Sequence, residues 1–257
     1  MNRAIRTLSG LVVALNLAVH GFAARAAERV DLLLVLASDV SRSVDSQKFQ
    51  LQRDGYVAAL NNPRVIEAIR SGGTGHIAVC FVEWSGVTSQ KLVIDWTSIG
   101  DAEGARRFSD ALVEAPRSFA DRTSISAGID FAMTQLEHAP FEANRRTIDV
   151  SGDGTNNSGR DVAIARDEAI AKGVTINGLV ILSDAPLAWN PEHTNPPGGL
   201  AEYYRRNVIG GPSAFVMVAE NHGSFGQAIL NKLVAEIARG SPPRHAALSW
   251  ARPLRRD

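Results

Sequence analysis

Apolar runs alternate with amphipathic segments along most of this chain. The run VDLLLVLA at 30–37 is almost continuous, which is typical of a strand buried on both faces of a parallel sheet. Shorter apolar or alternating runs predict five further strands, at 76–84, 90–96, 146–150, 174–182 and 214–218. Apolar positions that recur at helical spacing predict helices at 46–60, 65–69, 102–114, 124–136, 162–172, 200–207 and 225–238.

This regular alternation predicts an α/β fold of the doubly wound, Rossmann-like type, with a mostly parallel central sheet and helices on both faces. The segment 90–96 follows the preceding strand after a short turn, so we expect it to pair antiparallel at one edge of the sheet. No internal repeat or low-complexity tract interrupts the pattern. We therefore expect one domain, spanning 28–238.

The two ends of the chain differ from this pattern. Arg3 and Arg6 precede an apolar run at 8–18, and small residues suited to cleavage follow at 24–26, so residues 1–26 are predicted to be a secretory signal peptide. Since no later run approaches 18 apolar residues, we expect an exported protein, periplasmic or secreted, with no membrane span in the mature chain. Residues 239–257 contain two adjacent prolines near their start and five arginines, which predicts a flexible basic tail.

The 27 basic and 27 acidic residues cancel over the whole chain, but they are unevenly placed. Three arginines belong to the first 26 residues, and the tail carries five arginines and one aspartate. The body at 27–238 therefore has 19 basic and 26 acidic residues, a net charge of −7. An acidic body argues against nucleic acid as a partner. Cys80 is the only cysteine in the sequence, which excludes an internal disulfide and a multi-cysteine metal site.

Two of the predicted strands run directly into acidic loops. The first strand leads into the sequence DVSRS, which begins at Asp39, and the fourth leads into a loop that contains Asp153. Open α/β sheets bind ligands at the carboxyl ends of their strands, and alternation along an extended turn puts Asp39, Ser41 and Ser43 on one side. Carboxylate and hydroxyl oxygens are hard donors, so this edge of the sheet is a candidate Mg²⁺ or Mn²⁺ site. Thr123, in a third loop, could supply a further hydroxyl ligand.

These residues resemble the von Willebrand factor A domain, whose metal-ion-dependent adhesion site uses a D-x-S-x-S loop, a threonine and an aspartate. The DVSRS loop follows a buried strand, Thr123 precedes a helix and Asp153 follows a later strand. The resemblance extends over about 29–238. An exported bacterial branch of the superfamily is similar to this chain in the segments FVEWSG (81–86), RRTIDVSGDGTNN (145–157) and TINGLVIL (175–182).

The resemblance implies a bound divalent cation, Mg²⁺ or else Mn²⁺ or Ca²⁺. It also implies that five side chains hold this cation, the two aspartates partly through water: Asp39, Ser41, Ser43, Thr123 and Asp153. The sequence departs from the family pattern at Arg42, where glycine is common in the wider superfamily. A guanidinium beside a cation weakens metal binding unless it points outward.

Neutral hydroxyls and at most two carboxylates would leave the cation electrophilic, so that a carboxylate from a protein partner could complete its coordination. We therefore expect metal-dependent protein recognition, with Arg42 and Trp189 as partner contacts. Trp189 belongs to a loop at 183–199 that leaves the same edge of the predicted sheet. Packing of Trp189 back onto the domain is an equal alternative.

Two other functions stay open. An aspartate beside a metal could attack a phosphoryl group, which would make the protein a metal-dependent hydrolase or phosphatase. The chain has no G-x-S-x-G or Walker A sequence, and Ser41 stands where a haloacid-dehalogenase phosphatase would need a second aspartate. The other alternative is a metal-free structural scaffold.

Overall fold

A six-stranded sheet forms the centre of the fold. The computed structural model describes residues 27–183 and 187–238, so the predicted signal peptide and basic tail lie outside the described residues. The strands are β1 (Glu28–Arg29), β2 (Leu33–Asp39), β3 (Ile77–Trp84), β4 (Gln90–Ile99), β5 (Phe141–Glu142), β6 (Arg146–Gly152), β7 (Thr175–Ile181) and β8 (Val216–Ala219). The helices are α1 (Ser46–Leu60), α2 (Pro63–Arg70), α3 (Ala102–Glu114), α4 (Ile125–Glu137), α5 (Val162–Ala171), α6 (Pro191–Thr194), α7 (Leu200–Asn207) and α8 (Phe225–Ala238).

The order of strands in this sheet is β4-β3-β2-β6-β7-β8. Neighbouring strands are parallel except β3 and β4, whose antiparallel pairing lies at one edge of the sheet. This confirms the predicted fold class and the antiparallel edge strand. The strand order reverses direction between β2 and β6, so the loops that leave these two strands diverge and open a crevice at their carboxyl ends.

Strand β2 is buried on both faces because it separates two hydrophobic cores. Every residue of the strand is buried, and its side chains alternate between the cores. Leu34 and Leu36 join the core beneath α1, α2, α3 and α8, whereas Val35 and Ala37 join the core beneath α4, α5 and α7. The continuous apolar run at 30–37 therefore reflects helices on both faces of the sheet, as predicted.

Side-chain caps fix where several helices begin. Five helices follow a residue whose side chain accepts a hydrogen bond from an amide of the first turn: Asp45, Asn62, Asp101, Ser124 and Asp161. Two of these caps matter for the crevice, since Asp45 ends the loop after β2 and Ser124 ends the loop before α4.

The shortest elements of the structure were not predicted from the hydrophobic pattern of the sequence. Strands β1 and β5 form a separate parallel pair of two residues each, and α6 contains four residues. Hydrophobic periodicity needs a longer window than this to show itself. Helix α6 matters below because it carries a side chain into the crevice.

A buried ionic cluster ties α8 to the sheet. The Lys232 ammonium is fully buried and lies 2.6 Å from Asp149 Oδ1 and 2.5 Å from Glu236 Oε1. Asn177 Nδ2 donates to the same Glu236 oxygen at 2.6 Å. Burial raises the pKa of Asp149 to about 7, and the neighbouring Glu236 carboxylate adds to the rise. Lys232 therefore compensates two carboxylates that the apolar interior would otherwise disfavour.

Replacing this ammonium should destabilise the fold. We expect Lys232→Met to lower the free energy of unfolding by about 3–5 kcal/mol, because it leaves buried carboxylates without a cation. Urea unfolding at neutral pH measures the loss. Arg206→Ala, which removes an exposed pair with Glu202, is the control and should cost about 1 kcal/mol or less. Equal losses in the two variants would contradict a structural role for the cluster.

Candidate metal site

The loop after β2 turns back on its own aspartate. Asp39 is the last residue of β2 and is fully buried. Its Oδ1 atom accepts a hydrogen bond of 2.7 Å from the amide of Ser41, and Ser41 Oγ lies 3.1 Å from Ser43 Oγ. All three side chains are buried. The loop therefore gathers Asp39, Ser41 and Ser43 as expected, but through a turn closed by the Val44 amide on the Ser41 carbonyl and not through the alternation of an extended segment.

The loop after β6 reaches the same place from the neighbouring strand. Asp153 is fully buried, and its Oδ1 atom accepts a hydrogen bond of 2.5 Å from Ser43 Oγ. Its Oδ2 atom lies 3.8 Å from Lys48 Nζ, which also donates to the carbonyl of Ser43 at 2.8 Å. A chain of polar contacts thus crosses the crevice between β2 and β6.

Two carboxylate oxygens in this crevice lack hydrogen bonds. Asp39 Oδ2 and Asp153 Oδ2 are buried and have no hydrogen-bond partner within the described residues. Burial and, to a smaller extent, repulsion by the Asp153 carboxylate raise the pKa of Asp39 to about 7. The partly exposed Lys48 ammonium lies near Asp153, and no described cation forms an ion pair with Asp39. Hard oxygen donors with this excess of negative charge fit a divalent cation.

Gly152 lets Tyr204 approach the Asp39 carboxylate. A Cβ atom at this position would lie 2.6 Å from Tyr204 Oη and 3.1 Å from Asp39 Oδ2. Tyr204 is fully buried, and burial raises the pKa of its hydroxyl, with the Asp39 charge adding to the rise. The Tyr204 hydroxyl therefore stays protonated and borders the site, a placement that the sequence did not indicate.

The third loop brings Thr123 to the crevice. Thr123 is buried, and its backbone is held from the β6 loop: its amide donates to Asn157 Oδ1 at 3.0 Å and its carbonyl accepts from the Asn157 amide at 2.9 Å. The β2 loop is attached as well, because the Arg42 amide donates to the carbonyl of Asp121 at 2.9 Å. The three loops therefore support one another directly.

A cavity of about 340 Å³ opens above these loops. Its lining joins side chains from the three loops and from the segment around α6: Arg42, Ser43, Asp121, Arg122, Thr123, Asn157, Trp189, Asn190 and His193. Trp189 is 69% exposed, so it does not pack back onto the domain. Arg42 is exposed and its Nε donates to the carbonyl of Ala120 at 3.4 Å, which holds the guanidinium at the surface.

His193 is a residue of this site that sequence reasoning missed. Its Nε2 atom lies 3.2 Å from Thr123 Oγ1, and its Nδ1 atom lies 3.2 Å from Thr155 Oγ1. The ring packs on Gly154, where a Cβ atom would come within 2.3 Å of it. Burial lowers the pKa of His193, and this effect outweighs the Asp153 charge, which acts to raise it. The contact joins positions 70 apart, so no local spacing could reveal it.

Arg117 supports the loop after β2 through its backbone carbonyls. Its guanidinium donates to the carbonyls of Val40 at 2.6 Å and Ser41 at 3.0 Å, and to the carbonyl of Phe119 at 2.8 Å. These bonds satisfy backbone acceptors that the β2 loop turns away from the sheet. Arg117 therefore fixes the loop between Asp39 and Ser43 to the segment before Thr123.

Hydroxyl groups are essential to any metal site here. Within 27–183 and 187–238, no three His, Cys, Asp or Glu side chains are grouped so that they could hold a metal ion. A cation in the crevice would thus depend on serine and threonine oxygens beside the two carboxylates.

In the described part of the chain, none of the helices has the length and apolar composition of a membrane-spanning segment.

Comparison with known proteins identifies the family. A family model described as "Protein of unknown function (DUF1194)" matches residues 29–241. The chain belongs to this family. No curated protein sequence matches the chain.

Solved structures share its fold. Proximal thread matrix protein 1 from the mussel byssus aligns with a TM-score of 0.58 at 13% identity, covering 82% of this chain and 47% of that one. The same protein with a zinc-occupied MIDAS motif aligns with a TM-score of 0.53 at 14% identity, covering 82% of this chain and 46% of that one. The pilus adhesin SpaC from Lactobacillus rhamnosus GG aligns with a TM-score of 0.52 at 16% identity, covering 84% of this chain and 31% of that one. The chain thus spans about half the mussel protein and about a third of the adhesin. Its fold is that of the von Willebrand factor A domain, as the sequence resemblance implied.

Loss of Arg117 should loosen the loop without unfolding the domain. We expect Arg117→Ala to speed amide hydrogen exchange at 40–44, because two carbonyls of that loop lose a charged donor worth about 1.5–3 kcal/mol each. Exchange in β6 should stay unchanged. Arg106→Ala, which removes an exposed guanidinium of α3, is the matched control. Unchanged exchange at 40–44 would mean that Arg117 does not hold the loop.

Proposed function

We propose that this protein is an exported von Willebrand factor A-like domain that recognises protein partners through a bound divalent cation. The proposed ligands are Asp39, Ser41, Ser43, Thr123 and Asp153. The observation that carries the proposal is the pair of buried carboxylates, each with one oxygen that lacks a hydrogen bond within the described residues. A cation between the loops would satisfy those oxygens and remove the repulsion between Asp39 and Asp153.

The number of carboxylates favours Mg²⁺ among the hard cations. Mg²⁺ is commonly held by one or two carboxylates and keeps several waters, whereas Ca²⁺ takes six to eight oxygens. The proposed set contains two carboxylates and three neutral hydroxyls. Mn²⁺ is the alternative with the most similar preference for oxygen. Such a cation keeps enough positive charge to attract a further carboxylate, which in this proposal comes from the partner.

The mouth of the cavity suits an acidic partner. Arg42 and Arg122 are both exposed there, and neither forms an ion pair with any described residue. Asp121 is the acidic residue of the same lining. Because the body of the chain is acidic overall, two guanidiniums at this one opening would attract negative charge. Trp189 would add an exposed aromatic contact beside them.

The names of the structural neighbours support binding more than catalysis. They include a thread matrix protein of the mussel byssus and a pilus adhesin. One neighbour holds zinc in its MIDAS motif. In our proposal this chain likewise uses a divalent metal for adhesion, and the predicted signal peptide at 1–26 exports it.

Removing the Asp39 charge should abolish metal binding. We expect Asp39→Ala, and the isosteric Asp39→Asn, to eliminate the heat of Mg²⁺ binding in titration calorimetry and the rise in melting temperature that Mg²⁺ gives the unaltered protein. Asp110→Asn, on the exposed side of α3, is the control and should bind as before.

Two outcomes would contradict the proposal. Undiminished Mg²⁺ binding in Asp39→Ala would mean that the ligands are wrongly assigned, and failure of both Mg²⁺ and Mn²⁺ to stabilise the unaltered protein would favour a metal-free scaffold. Turnover of a generic phosphate ester that disappears in Asp39→Ala would instead support a metal-dependent hydrolase.

Partner capture should depend on both the cation and the rim of the cavity. Immobilised protein is incubated with periplasmic extract in Mg²⁺ or in chelator, and the retained proteins are quantified by mass spectrometry. We expect specific retention only in Mg²⁺. Trp189→Ala should reduce retention with Mg²⁺ affinity unchanged, and Arg42→Glu should reduce retention as well. Retention that stays the same in chelator and in Asp39→Ala would rule out recognition through the metal.

A further inference from the structure

Asn157 fixes which nitrogen of the His193 ring carries the proton. The Thr123 amide donates to Asn157 Oδ1 at 3.0 Å, so the Nδ2 group of the same side chain is the one that faces His193. Asn157 Nδ2 can only donate hydrogen bonds, and it lies 3.4 Å from His193 Nδ1. Nδ1 is therefore the acceptor, and the ring proton lies on Nε2.

The Nε2–H group of His193 donates to the Thr123 hydroxyl. His193 Nε2 and Thr123 Oγ1 are 3.2 Å apart, and both residues are buried. A threonine oxygen has two lone pairs, of which the imidazole takes one and leaves the other for the proposed cation. The hydrogen bond thus restricts rotation of the hydroxyl without adding a ligand, and the position that the proposed function leaves to the partner's carboxylate stays open.

His193 also anchors the segment that carries Trp189, here called the Trp189 segment and defined as residues 187–194. The carbonyl of His193 accepts a hydrogen bond of 2.9 Å from the Thr155 amide, and its amide donates to the carbonyl of Asn190 at 3.2 Å. His193 is 3% exposed, whereas Trp189 is 69% exposed. One short segment therefore joins a buried contact with Thr123 to an exposed aromatic side chain at the mouth of the cavity.

We propose that His193 is a positioning residue that orients the Thr123 hydroxyl toward the cation and thereby couples cation binding to the Trp189 segment. The proposal rests on the proposed function, since it describes how the same site is regulated. Hydrogen-bond partners behind metal ligands hold those ligands in the orientation that binds. Because such coupling is reciprocal, the cation would steady the Trp189 segment, and a partner that fixes this segment would strengthen cation binding.

The tautomer of His193 tests the first step without any metal. In the metal-free protein, long-range proton–nitrogen correlation spectra of the imidazole rings should show the His193 proton on Nε2. The signal is assigned by its loss in His193→Ala. A proton on Nδ1 alone would overturn the inference, because Nε2 could not then donate to Thr123.

A double-mutant cycle on Mg²⁺ affinity tests whether His193 acts through Thr123. We expect His193→Ala to weaken Mg²⁺ binding in titration calorimetry by roughly 10–100-fold, as loss of an outer partner of a metal ligand does. In the Thr123→Val background, which keeps the shape but lacks the hydroxyl, the same change should cost no more than about twofold. His138→Ala, at the exposed histidine that follows α4, is the matched control.

Equal losses in the two backgrounds would mean that His193 supports only the fold, because independent effects add. Unchanged Mg²⁺ affinity in His193→Ala would overturn the positioning role as well.

Hydrogen exchange tests the coupling itself. Mg²⁺ should slow amide exchange in the Trp189 segment of the unaltered protein and leave it unchanged in His193→Ala at a Mg²⁺ concentration that saturates the variant. Slowing that persists in His193→Ala would overturn the coupling.

Asp39→Ala distinguishes failure of this inference from failure of the site. If Asp39→Ala loses Mg²⁺ while His193→Ala binds it like the unaltered protein, the metal site stands and the positioning role is wrong. If Asp39→Ala binds Mg²⁺ undiminished, the ligands are wrongly assigned and the positioning role falls with them.

Discussion

Two carboxylates buried at the carboxyl end of the central sheet impose the main constraint on this fold. Asp39 ends β2, Asp153 directly follows the neighbouring β6, and both are fully buried. Burying charged groups is costly unless hydrogen bonds and opposite charges compensate them. Here a backbone amide, a serine hydroxyl and the distant ammonium of Lys48 supply part of that compensation. Within the described residues, Asp39 Oδ2 and Asp153 Oδ2 remain without hydrogen bonds, and we propose that a cation compensates them.

The surroundings of the crevice follow from this constraint. Three loops must approach closely, and they do so through backbone hydrogen bonds, the Asn157 side chain and the guanidinium of Arg117. Behind them, Arg53 donates to Glu83 at 2.5 Å, and Glu83 accepts from the amide of Ser118 at 2.8 Å. The segment before Thr123 is thus anchored to the sheet and to α1. A rigid frame of this kind would hold ligands in place before a cation or a partner arrives.

Much of the fold was readable from the sequence because its signals are local. The continuous apolar run at 30–37 indicated a strand covered on both faces, and the alternation at 90–96 indicated the antiparallel edge. The DVSRS motif placed three candidate ligands together because they belong to one short loop. The metal role of those residues, and of Thr123 and Asp153, remains a prediction.

The contacts that sequence reasoning missed join distant positions. His193 meets Thr123 across 70 residues, and Arg117 meets Val40 across 77. Tyr204 approaches Asp39 only because Gly152 has no side chain between them. A single histidine, arginine or tyrosine carries no spacing that marks it, so its place depends on the packing of the whole sheet and its loops. Helix α6, which carries His193, is itself too short to leave a periodic pattern.

Anomalous diffraction from crystals grown with Mn²⁺ would show whether a metal binds between these loops. We expect one strong manganese peak in the crevice between β2 and β6, within bonding distance of the Ser41 and Ser43 hydroxyls and close to Thr123, Asp39 and Asp153. Absence of a peak there, or a peak at surface carboxylates alone, would contradict the claim that these three loops form a metal site.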